Sequence, residues 1–568
     1  MSRKPKLGLA PHPLRLRVVA GRLPFTFPFP YNIDTETDTV ELHVSSAVVA
    51  SSWFRFTDKA RKRVKAYARE AAKTYKRTDD RDDYDYAQDF GEAYVARDYQ
   101  LLGMHRLYVR VRAHQTGSVL ADDVGLGKTP QALGAWLRLK REGLCGSLVV
   151  VAPNSVKTQW ADEIRRFVTN PPKVSVIHGD RKRRLEAIRA EADVYIFNYE
   201  LARLPQYADA ITKLVARLKK RKVLFVIDES SAIKNPESKT HAALKALTSG
   251  SPVIALNATP IENNLADYYA QARMIDASLV GGPGKFYNRY ITRLKSGKVV
   301  AHHNLKECKL RTAAVFYRRT RELVKDQLPD LITELRVVEM DRKQDDHYAS
   351  VVRSAIIEGS SGAVKMSKLL PVQRAALISD GAKPESAKLD DLDGLLGGDL
   401  AHEKVVVFSR FKTCARIAAK RLEHHNTAVI DGDTTDRNRT DIRRRFSDKS
   451  NPLRVLIVTE AMDRGVNLQA AGVLVNLDLP WNAAKLRQRV GRIARLSQER
   501  SAVLIINYAA ARRNGKPTID DYFVGIVDSK RDLHRRMLGD ADVDELGNEE
   551  RTPQGLFDFI KTHADTTR

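Results

Sequence analysis

Ala121-Asp-Asp-Val-Gly-Leu-Gly-Lys-Thr129 is the stretch that decides the fold, since it joins a strand-like run, 118–121, to a helical pattern. A glycine-containing loop before a helix directs backbone N–H groups at a phosphate, and the helix dipole adds to the attraction. We expect Lys128 to reach the β- and γ-phosphates of a nucleotide and Thr129 to ligate Mg²⁺. The stretch therefore predicts a nucleotide site in an α/β domain.

The loop departs from the strict pattern G-x-x-x-x-G-K-[ST], because Asp122 stands at the position of the first glycine. Gly125 and Gly127 supply the flexible positions instead. The alternative interpretation is a helix cap followed by a chance Gly-Lys-Thr.

A second stretch, Val223-Leu-Phe-Val-Ile-Asp-Glu-Ser-Ser-Ala-Ile-Lys-Asn235, places two acids after five apolar residues. The carboxyl ends of parallel strands are where open α/β sheets bind ligands. Asp228 suits Mg²⁺, and Glu229 suits the base that polarises an attacking water. The alternative is an acid pair that caps the next helix.

Short apolar runs alternate with helical stretches over most of the chain, a rhythm typical of parallel α/β sheets. The first group comprises 147–153, 193–198, 223–228 and 252–259. The second comprises 403–410, 427–433, 454–460, 472–478 and 502–508. Between them, 276–385 loses the rhythm, so we predict two α/β sheets separated by a mainly helical insert.

Three arginines in the second half follow helical spacing. Arg489, Arg492 and Arg495 stand at i, i+3 and i+6, which places them on one helix face. Arginines from outside the phosphate-binding domain can stabilise charge on a transferring phosphoryl group. The alternative is a solvated basic helix.

Composition narrows the class of protein. The 568 residues include 96 lysines and arginines against 70 acids, a net charge of +26, and this excess favours a nucleic-acid partner over a mere solubility surface. Three scattered cysteines exclude a disulfide scaffold and fit a reducing compartment. No apolar run approaches the roughly 20 residues of a membrane helix, so no membrane partner is expected.

The N-terminal 92 residues form an expected accessory region of short strands followed by a basic helix at 58–77. Arg61, Lys65, Arg69 and Lys73 repeat at i, i+4 and make a basic stripe. An acidic stretch, 79–85, follows at once. Both an auxiliary DNA contact and a solvated face neutralised by these acids remain open.

Taken together, these motifs resemble superfamily-two helicases, and within them the Swi/Snf-like DNA translocases, over about 95–540. The resemblance rests on the two stretches above and on further ones in family order: 96–107, 151–160, 196–202, 255–264, 316–331, 385–396, 405–411, 431–446, 454–471, 486–498 and 517–539. The Asp122-Asp123 start and the Asp228-Glu229-Ser230 form resemble the annealing-helicase branch most.

The resemblance implies two RecA-like lobes, 93–275 and 386–516, that close on ATP, with a helical brace and tail at 517–568. Gln100 would read adenine, Gly465 and Asn467 would approach the nucleotide or its ribose, and Arg492 and Arg495 would be arginine fingers. The residues that would line the phosphates are Asp122, Gly125, Leu126, Gly127, Lys128 and Thr129.

Four positions differ from the family pattern. Ser231 and Ala494 stand where the family usually has histidine, and 257–260 reads Asn-Ala-Thr-Pro rather than Thr-Gly-Thr-Pro. In the family these positions couple hydrolysis to lobe movement, while the chemistry residues are intact.

We therefore expect an ATP- and Mg²⁺-dependent ATPase that moves on, rewinds or remodels double-stranded or forked DNA. The arginine-rich segment 316–331 is expected to offer Arg318, Arg319 and Arg321 either to DNA phosphates or to packing against the first lobe. The alternatives are a strand-separating DNA or RNA helicase and a nucleic-acid-binding scaffold without ATPase activity. A monomer in the cytoplasm of a bacterial or virus-infected cell is expected, although the sequence does not indicate the oligomeric state.

Overall fold

The computed structural model divides into two units, one of residues 1–323 with 534–548 and one of residues 324–533 with 549–568. The residues that it describes are 6–9, 15–20, 31–34, 39–43, 55–66, 84–92, 94–114, 116–154, 156–261, 265–293, 299–312, 315–359, 366–459, 468–480, 483–494, 498, 500–524, 546–547 and 553–564.

The first unit begins with a small sheet, as expected for the accessory region. Its strands are β1 (Lys6–Leu9), β2 (Arg15–Ala20), β3 (Tyr31–Asp34), β4 (Thr39–His43) and β5 (Arg55–Phe56), in the order β3-β4-β2-β1-β5. All neighbours are antiparallel except β1 and β5. A helix follows over 58–66, and the rest of the predicted basic helix, with Arg69 and Lys73, lies outside the described residues.

A seven-stranded sheet dominates the first unit. Its strands are β6 (Ser118–Leu120), β7 (Ser147–Val151), β8 (Val174–Val176), β9 (Val194–Phe197), β10 (Val223–Asp228), β11 (Val253–Leu256) and β14 (Phe316–Tyr317). They run parallel in the order β14-β6-β11-β10-β7-β9-β8. The four apolar runs predicted as strands in this half of the chain are confirmed.

Helices cover this sheet, and large apolar side chains such as Trp136, Trp160 and Phe225 are fully buried against it. They are α1 (Asp98–His114), α2 (Lys128–Arg141), α3 (Lys157–Phe167), α4 (Arg181–Arg189), α5 (Tyr199–Arg203), α6 (Pro205–Lys220), α7 (Lys239–Thr248), α8 (Leu265–Ile275), α9 (Ala277–Val280), α10 (Pro283–Tyr290) and α11 (Leu305–Thr312). A third sheet pairs β12 (Ile291–Arg293), β13 (Val299–His302) and β21 (Leu546–Gly547).

The second unit contains a six-stranded parallel sheet. Its strands are β15 (Asp330–Glu339), β16 (Val405–Phe408), β17 (Thr427–Ile430), β18 (Val455–Val458), β19 (Val473–Asn476) and β20 (Ala502–Ala511), in the order β15-β20-β19-β16-β18-β17. Its helices are α12 (Arg342–Gly359), α13 (Met366–Leu377), α14 (Ala387–Gly397), α15 (Lys412–Arg421), α16 (Asp436–Ser447), α17 (Ala483–Ile493) and α18 (Pro553–His563). All five predicted strand runs are confirmed.

The expectation of a separate helical insert at 276–385 is wrong in one respect. The segment is rich in helices, yet β14 pairs with β6 of the first sheet and β15 pairs with β20 of the second over ten residues. These hydrogen bonds assign the two ends of the segment to different units, and the division falls between Leu323 and Val324.

The C-terminal brace is helical where the structure describes it. A helix at 519–524 and α18 pack with α12 and α13 through buried side chains that include Ile519, Phe523, Leu556 and Ile560. Residues 525–545 lie outside the described residues. Within the described residues, no helix is long and apolar enough to cross a membrane.

Candidate nucleotide site

The phosphate-binding loop lies at the carboxyl edge of the first sheet. β6 ends at Leu120, and α2 begins at Lys128 directly after two glycines with positive φ, Gly125 at 89° and Gly127 at 72°. Gly127 is required on two grounds, because a Cβ there would also lie 2.2 Å from Gln100 Nε2. The sequence thus gives the loop a backbone that few other residues allow.

Gln100 is buried beneath this loop rather than open on its rim. Its Nε2 donates to the carbonyl of Leu126 at 3.2 Å, and its Oε1 accepts from the Tyr94 hydroxyl at 2.8 Å and the Arg97 amide at 3.0 Å. Both ends of the side-chain amide are therefore bound within the protein. Its role toward adenine stays a prediction.

Lys128 meets groups from both motifs. Its Nζ donates to the carbonyls of Asp122 at 2.8 Å and Asp123 at 3.2 Å. Burial lowers the pKa of Lys128, and the charges of Glu229, Asp122 and Asp228 oppose this shift. The ammonium thus rests on loop carbonyls among carboxylates, which is a position from which it can transfer to a phosphate.

The acid pair ends β10 at the same edge of the sheet. Asp228 Oδ2 accepts from Trp160 Nε1 at 2.8 Å and Oδ1 accepts from the Glu229 amide at 2.9 Å, while the Tyr199 hydroxyl donates to the Asp228 carbonyl. Burial, together with the neighbouring charge of Glu229, raises the pKa of Asp228 to about 6. A cation would relieve this penalty, and hydroxyl and carboxylate oxygens such as those of Thr129 and Asp228 are the ligands that Mg²⁺ prefers.

A buried glutamine connects Ser230, the residue after the acid pair, to the segment after β11. Gln271 Oε1 accepts from Ser230 Oγ at 2.6 Å and Asn257 Nδ2 at 3.0 Å, and its Nε2 donates to the Pro260 carbonyl at 2.8 Å. Asn257 in turn accepts from the Thr259 amide at 3.0 Å. Sequence reasoning missed Gln271; its only signal was an amide within the largely apolar helix α8.

Two of the arginines expected at 316–331 pack against the loop and are not open to DNA. The Arg318 and Arg319 side chains are 9% and 3% exposed, and they pair with Asp123 and Asp122. The DNA-contact interpretation is therefore wrong for both, because their guanidinium groups are enclosed. The Asp122 carboxylate is fully buried in the same pair, so its predicted approach to a nucleotide is limited to its backbone.

In the second unit, two of the three arginines on α17 are buried, which argues against the alternative of a solvated basic helix. Arg489 is fully buried, and its Nη1 donates to Asn476 Oδ1 at 3.0 Å and to the Asp478 carbonyl at 2.8 Å. Arg492 is also buried, at the end of α17. Arg495, Gly465 and Asn467 lie outside the described residues, so their predicted roles stay predictions.

One group of metal-ligating side chains, Asp393, His424 and His425, occurs within the described part of the chain. Arg454 Nη2 donates to His425 Nδ1 at 2.9 Å, so the proton of a neutral ring resides on Nε2. That Nε2 donates to Asp393 at 2.8 Å. The group is thus a hydrogen-bonded network that joins α14 to the 3₁₀ turn at 423–425.

Family profiles match both units. The SNF2-related domain matches residues 99–379, and the helicase conserved C-terminal domain matches residues 387–497. The chain belongs to the SNF2-related family. This membership confirms the α/β fold with two RecA-like lobes and implies the use of ATP.

Several relatives of this SNF2 protein are longer than the part that this chain matches. An uncharacterized ATP-dependent helicase, MG018 of Mycoplasma genitalium, is 25% identical over 75% of this chain and 40% of its own length. The human DNA repair and recombination protein RAD54-like is 25% identical over 80% and 67%, and the putative ATP-dependent helicase/translocase YwqA of Bacillus subtilis is 25% identical over 80% and 50%. The chain thus spans two fifths to two thirds of these relatives.

Among solved structures, the chain is similar to the Sulfolobus solfataricus SWI2/SNF2 ATPase core in complex with dsDNA. It is 22% identical, with a TM-score of 0.39, and the match covers 84% of this chain and 97% of that one.

Proposed function

We propose that this protein is a double-stranded-DNA-stimulated ATPase that moves along duplex DNA or remodels forked DNA. The observation that carries the proposal is the meeting of Lys128 with Asp228 and Glu229 at one edge of a parallel sheet, from strands β6 and β10 that flank β11. The net charge of +26 and the relatives named for DNA repair and translocation support DNA as the partner.

The chemistry proposed for the first unit follows from its own groups. Lys128 exchanges the carbonyls of Asp122 and Asp123 for phosphate oxygens, and the loop amides bind the same phosphates. Glu229 accepts the proton of the attacking water as the water oxygen bonds to the γ-phosphorus, while the bond from that phosphorus to the β–γ bridging oxygen breaks and ADP leaves. Thr129 and Asp228 would hold Mg²⁺, which supplies charge neutralisation at the phosphates.

We propose that Arg492 and Arg495 of the second unit act as arginine fingers, whose guanidinium groups stabilise the transferring phosphoryl group. Repeated closing and opening would then ratchet the lobes along a phosphate backbone. Contacts to phosphates carry no sequence information, so we propose movement without base readout.

ATP turnover on blunt duplex, single-stranded, forked DNA and RNA tests the proposal, with Lys128→Ala as the inactive control. Duplex or forked DNA should stimulate turnover most, and the protein should displace a triplex strand while unwinding a tailed duplex poorly. Lys128→Ala should lose turnover and retain DNA binding, since the lysine Nζ contacts the carbonyls of the phosphate-binding loop.

Other outcomes assign the alternatives. Robust unwinding of the tailed duplex without triplex displacement would identify a strand-separating helicase. DNA binding without turnover in the wild-type protein would identify a scaffold. We also propose a monomer acting in the cytoplasm, where bacterial and many viral genomes reside; sedimentation and cell fractionation test these two points.

A further inference from the structure

A short segment, 316–321, lies beside β6 and the first residues of the phosphate-binding loop. Main-chain hydrogen bonds join the Ala121 amide to the Tyr317 carbonyl at 2.7 Å and the Asp123 amide to the Arg319 carbonyl at 3.0 Å. β14 also pairs with β6, the strand that leads into the loop. The segment thus extends the sheet beside the loop.

Side chains continue this attachment into the loop. Arg319 uses its amide at 2.9 Å and Nε at 3.1 Å to reach Asp122 Oδ1, and its Nη2 reaches Oδ2. Arg318 Nη2 donates to Asp123 Oδ1 at 2.9 Å, and the Arg321 amide donates to Asp123 Oδ2 at 3.1 Å. Each loop aspartate is therefore held by two or more donors from the segment.

Helix α1 is shaped to admit this arrangement. A Cβ on Gly103 would lie 1.9 Å from Gln131 Oε1 and 2.8 Å from Arg319 Nη2. Gln131 belongs to α2, and its Nε2 donates to Asp122 Oδ2 at 3.0 Å. Gly103 thus makes room for the glutamine and guanidinium that bind the Asp122 carboxylate.

The charges explain why the loop needs these partners. Asp122 and Asp123 place two carboxylates at the entrance of a site for a polyanionic nucleotide, at positions where the strict pattern has a glycine and a variable residue. Uncompensated carboxylates in a buried region would repel the phosphates. Two guanidinium groups neutralise them: Arg319 holds both carboxylate oxygens of Asp122 in a bidentate pair, and Arg318 holds one oxygen of Asp123.

We propose that Arg319, assisted by Arg318, is a positioning residue of the nucleotide site that neutralises the loop aspartates and thereby sets nucleotide affinity. This role rests on the ATPase function proposed above. It does not require either arginine to touch the nucleotide. If this role is correct, the arginines affect nucleotide affinity only while the loop carries the carboxylates of Asp122 and Asp123.

The test compares nucleotide binding without DNA, followed by a fluorescent ATP analogue, and steady-state turnover with DNA. Arg319→Gln should weaken binding and raise KM about ten- to a hundredfold, as is typical for partners that orient binding groups, with a smaller change in kcat. Arg318→Gln should act less, because Asp123 is more exposed than Asp122. Arg319→Lys should fall between, since it keeps the charge and loses the fork.

A compensating variant distinguishes charge neutralisation from general loss of packing. Asp122→Asn combined with Arg319→Gln removes both charges and should restore affinity to within a few-fold of wild type. The matched control is Arg289→Gln, which breaks another arginine–carboxylate pair of the same unit, with Glu307, on helices that follow the loop in the chain. It should change stability and leave nucleotide affinity unaltered.

Wild-type affinity in a folded Arg319→Gln variant, or failure of Asp122→Asn to rescue it, would overturn the proposal. If Arg319→Gln does not fold, the comparison of Arg318→Gln with its partner variant Asp123→Asn decides in the same way. If the variants alter nucleotide binding as expected but the wild-type protein does not hydrolyse ATP, this inference stands and the proposed function is wrong.

Discussion

Glu229 combines a strained backbone with the position of the proposed base. Its φ of 53° and ψ of 56° lie in the left-handed region, where an L-residue costs about 1–2 kcal/mol. Such strain at the end of a central strand fits a group aimed by its surroundings. Glu229→Gln should therefore keep ATP affinity and lower kcat by about 10²–10⁴-fold, because the amide cannot accept the proton.

A glycine at the same position separates chemistry from strain. Glu229→Gly should lose hydrolysis as well, yet raise the free energy of unfolding by about 1 kcal/mol, since glycine enters this region freely. Turnover assays and urea unfolding on both variants measure the two effects. Loss of nucleotide binding in Glu229→Gln would instead indicate a structural role.

His302 gives the first unit a pH-dependent stability. The ring is fully buried, its Nε2 accepts from the Leu265 amide at 3.4 Å, and burial together with the nearby His303 lowers its pKa to about 4. The unfolded chain, with a histidine pKa of about 6.5, binds the proton first as pH falls. Stability is therefore present above about pH 6.5 and declines toward pH 4, by about 3 kcal/mol in total.

Unfolding by urea between pH 7 and pH 4 measures this decline. His302→Gln removes the titrating ring and should show a smaller decline, by about 3 kcal/mol, whatever its stability at pH 7. The exposed His178 provides the control, and His178→Gln should follow the wild-type curve. Parallel curves for His302→Gln and wild type would contradict the assignment.

The central site residues were predictable because their information is local. Lys128 follows its glycines directly, and Asp228 and Glu229 end an apolar run, so neighbouring residues reveal both roles. The partners of Asp122 were not predictable in this way. Arg319 is 197 positions away along the chain, and only the coincidence of paired aspartates with paired arginines hinted at the contact.

At the scale of elements, the strands that could be predicted from the sequence are those whose side chains are buried on both faces of a sheet. β7, β10 and β16 are enclosed on both faces and read as continuous apolar runs. β15 was missed and assigned to the helical insert. It is an edge strand with half-buried or exposed side chains, and its pairing with β20 depends on residues far away in the sequence.

A short segment before α1, which contains Tyr84 and Tyr86, packs against the C-terminal end of α2, the helix that follows the phosphate-binding loop. Arg138 lies inside a box of tyrosines, with its guanidinium carbon 4.1 Å from the Tyr84 ring centre and 3.7 Å from that of Tyr108. It also donates to the Tyr86 hydroxyl at 3.2 Å and pairs with Glu142. Arg138→Ala should lower the free energy of unfolding by about 3 kcal/mol, because it empties this box and leaves a charge less compensated.

The same helix turn offers a matched control. Arg141 pairs with Asp89 at 2.6 Å, but its side chain is 52% exposed. Because solvent reaches the Arg141 guanidinium, and because the buried Asp89 carboxylate keeps the Tyr84 hydroxyl as a donor at 2.9 Å, Arg141→Ala should cost about 1 kcal/mol. Chemical unfolding of both variants measures the difference, and equal losses would show that the tyrosine box adds nothing beyond the ion pair.

At the scale of the whole molecule, the charge of +26 bears on DNA binding through the N-terminal helix. Ala60 and Val64 are buried, whereas Lys59, Arg61, Lys62 and Lys65 are exposed. The i, i+4 apolar pair therefore faces inward, and the basic residues face solvent. This arrangement is compatible with both readings of the basic stripe, a DNA contact and a solvated face.

The salt dependence of DNA affinity separates them. Each phosphate contact that is lost lowers the slope of log K against log salt by about 0.9, so replacing all four basic residues by glutamine should lower it by about 2–4 if the helix binds DNA. The charge-matched control replaces Lys213, Arg217, Lys219 and Lys220 of α6, three of which already have protein partners in Asp209, Tyr195 and Ser249. Equal slopes for the two variants would reduce the effect to net charge, and an unchanged slope in both would establish the solvated face.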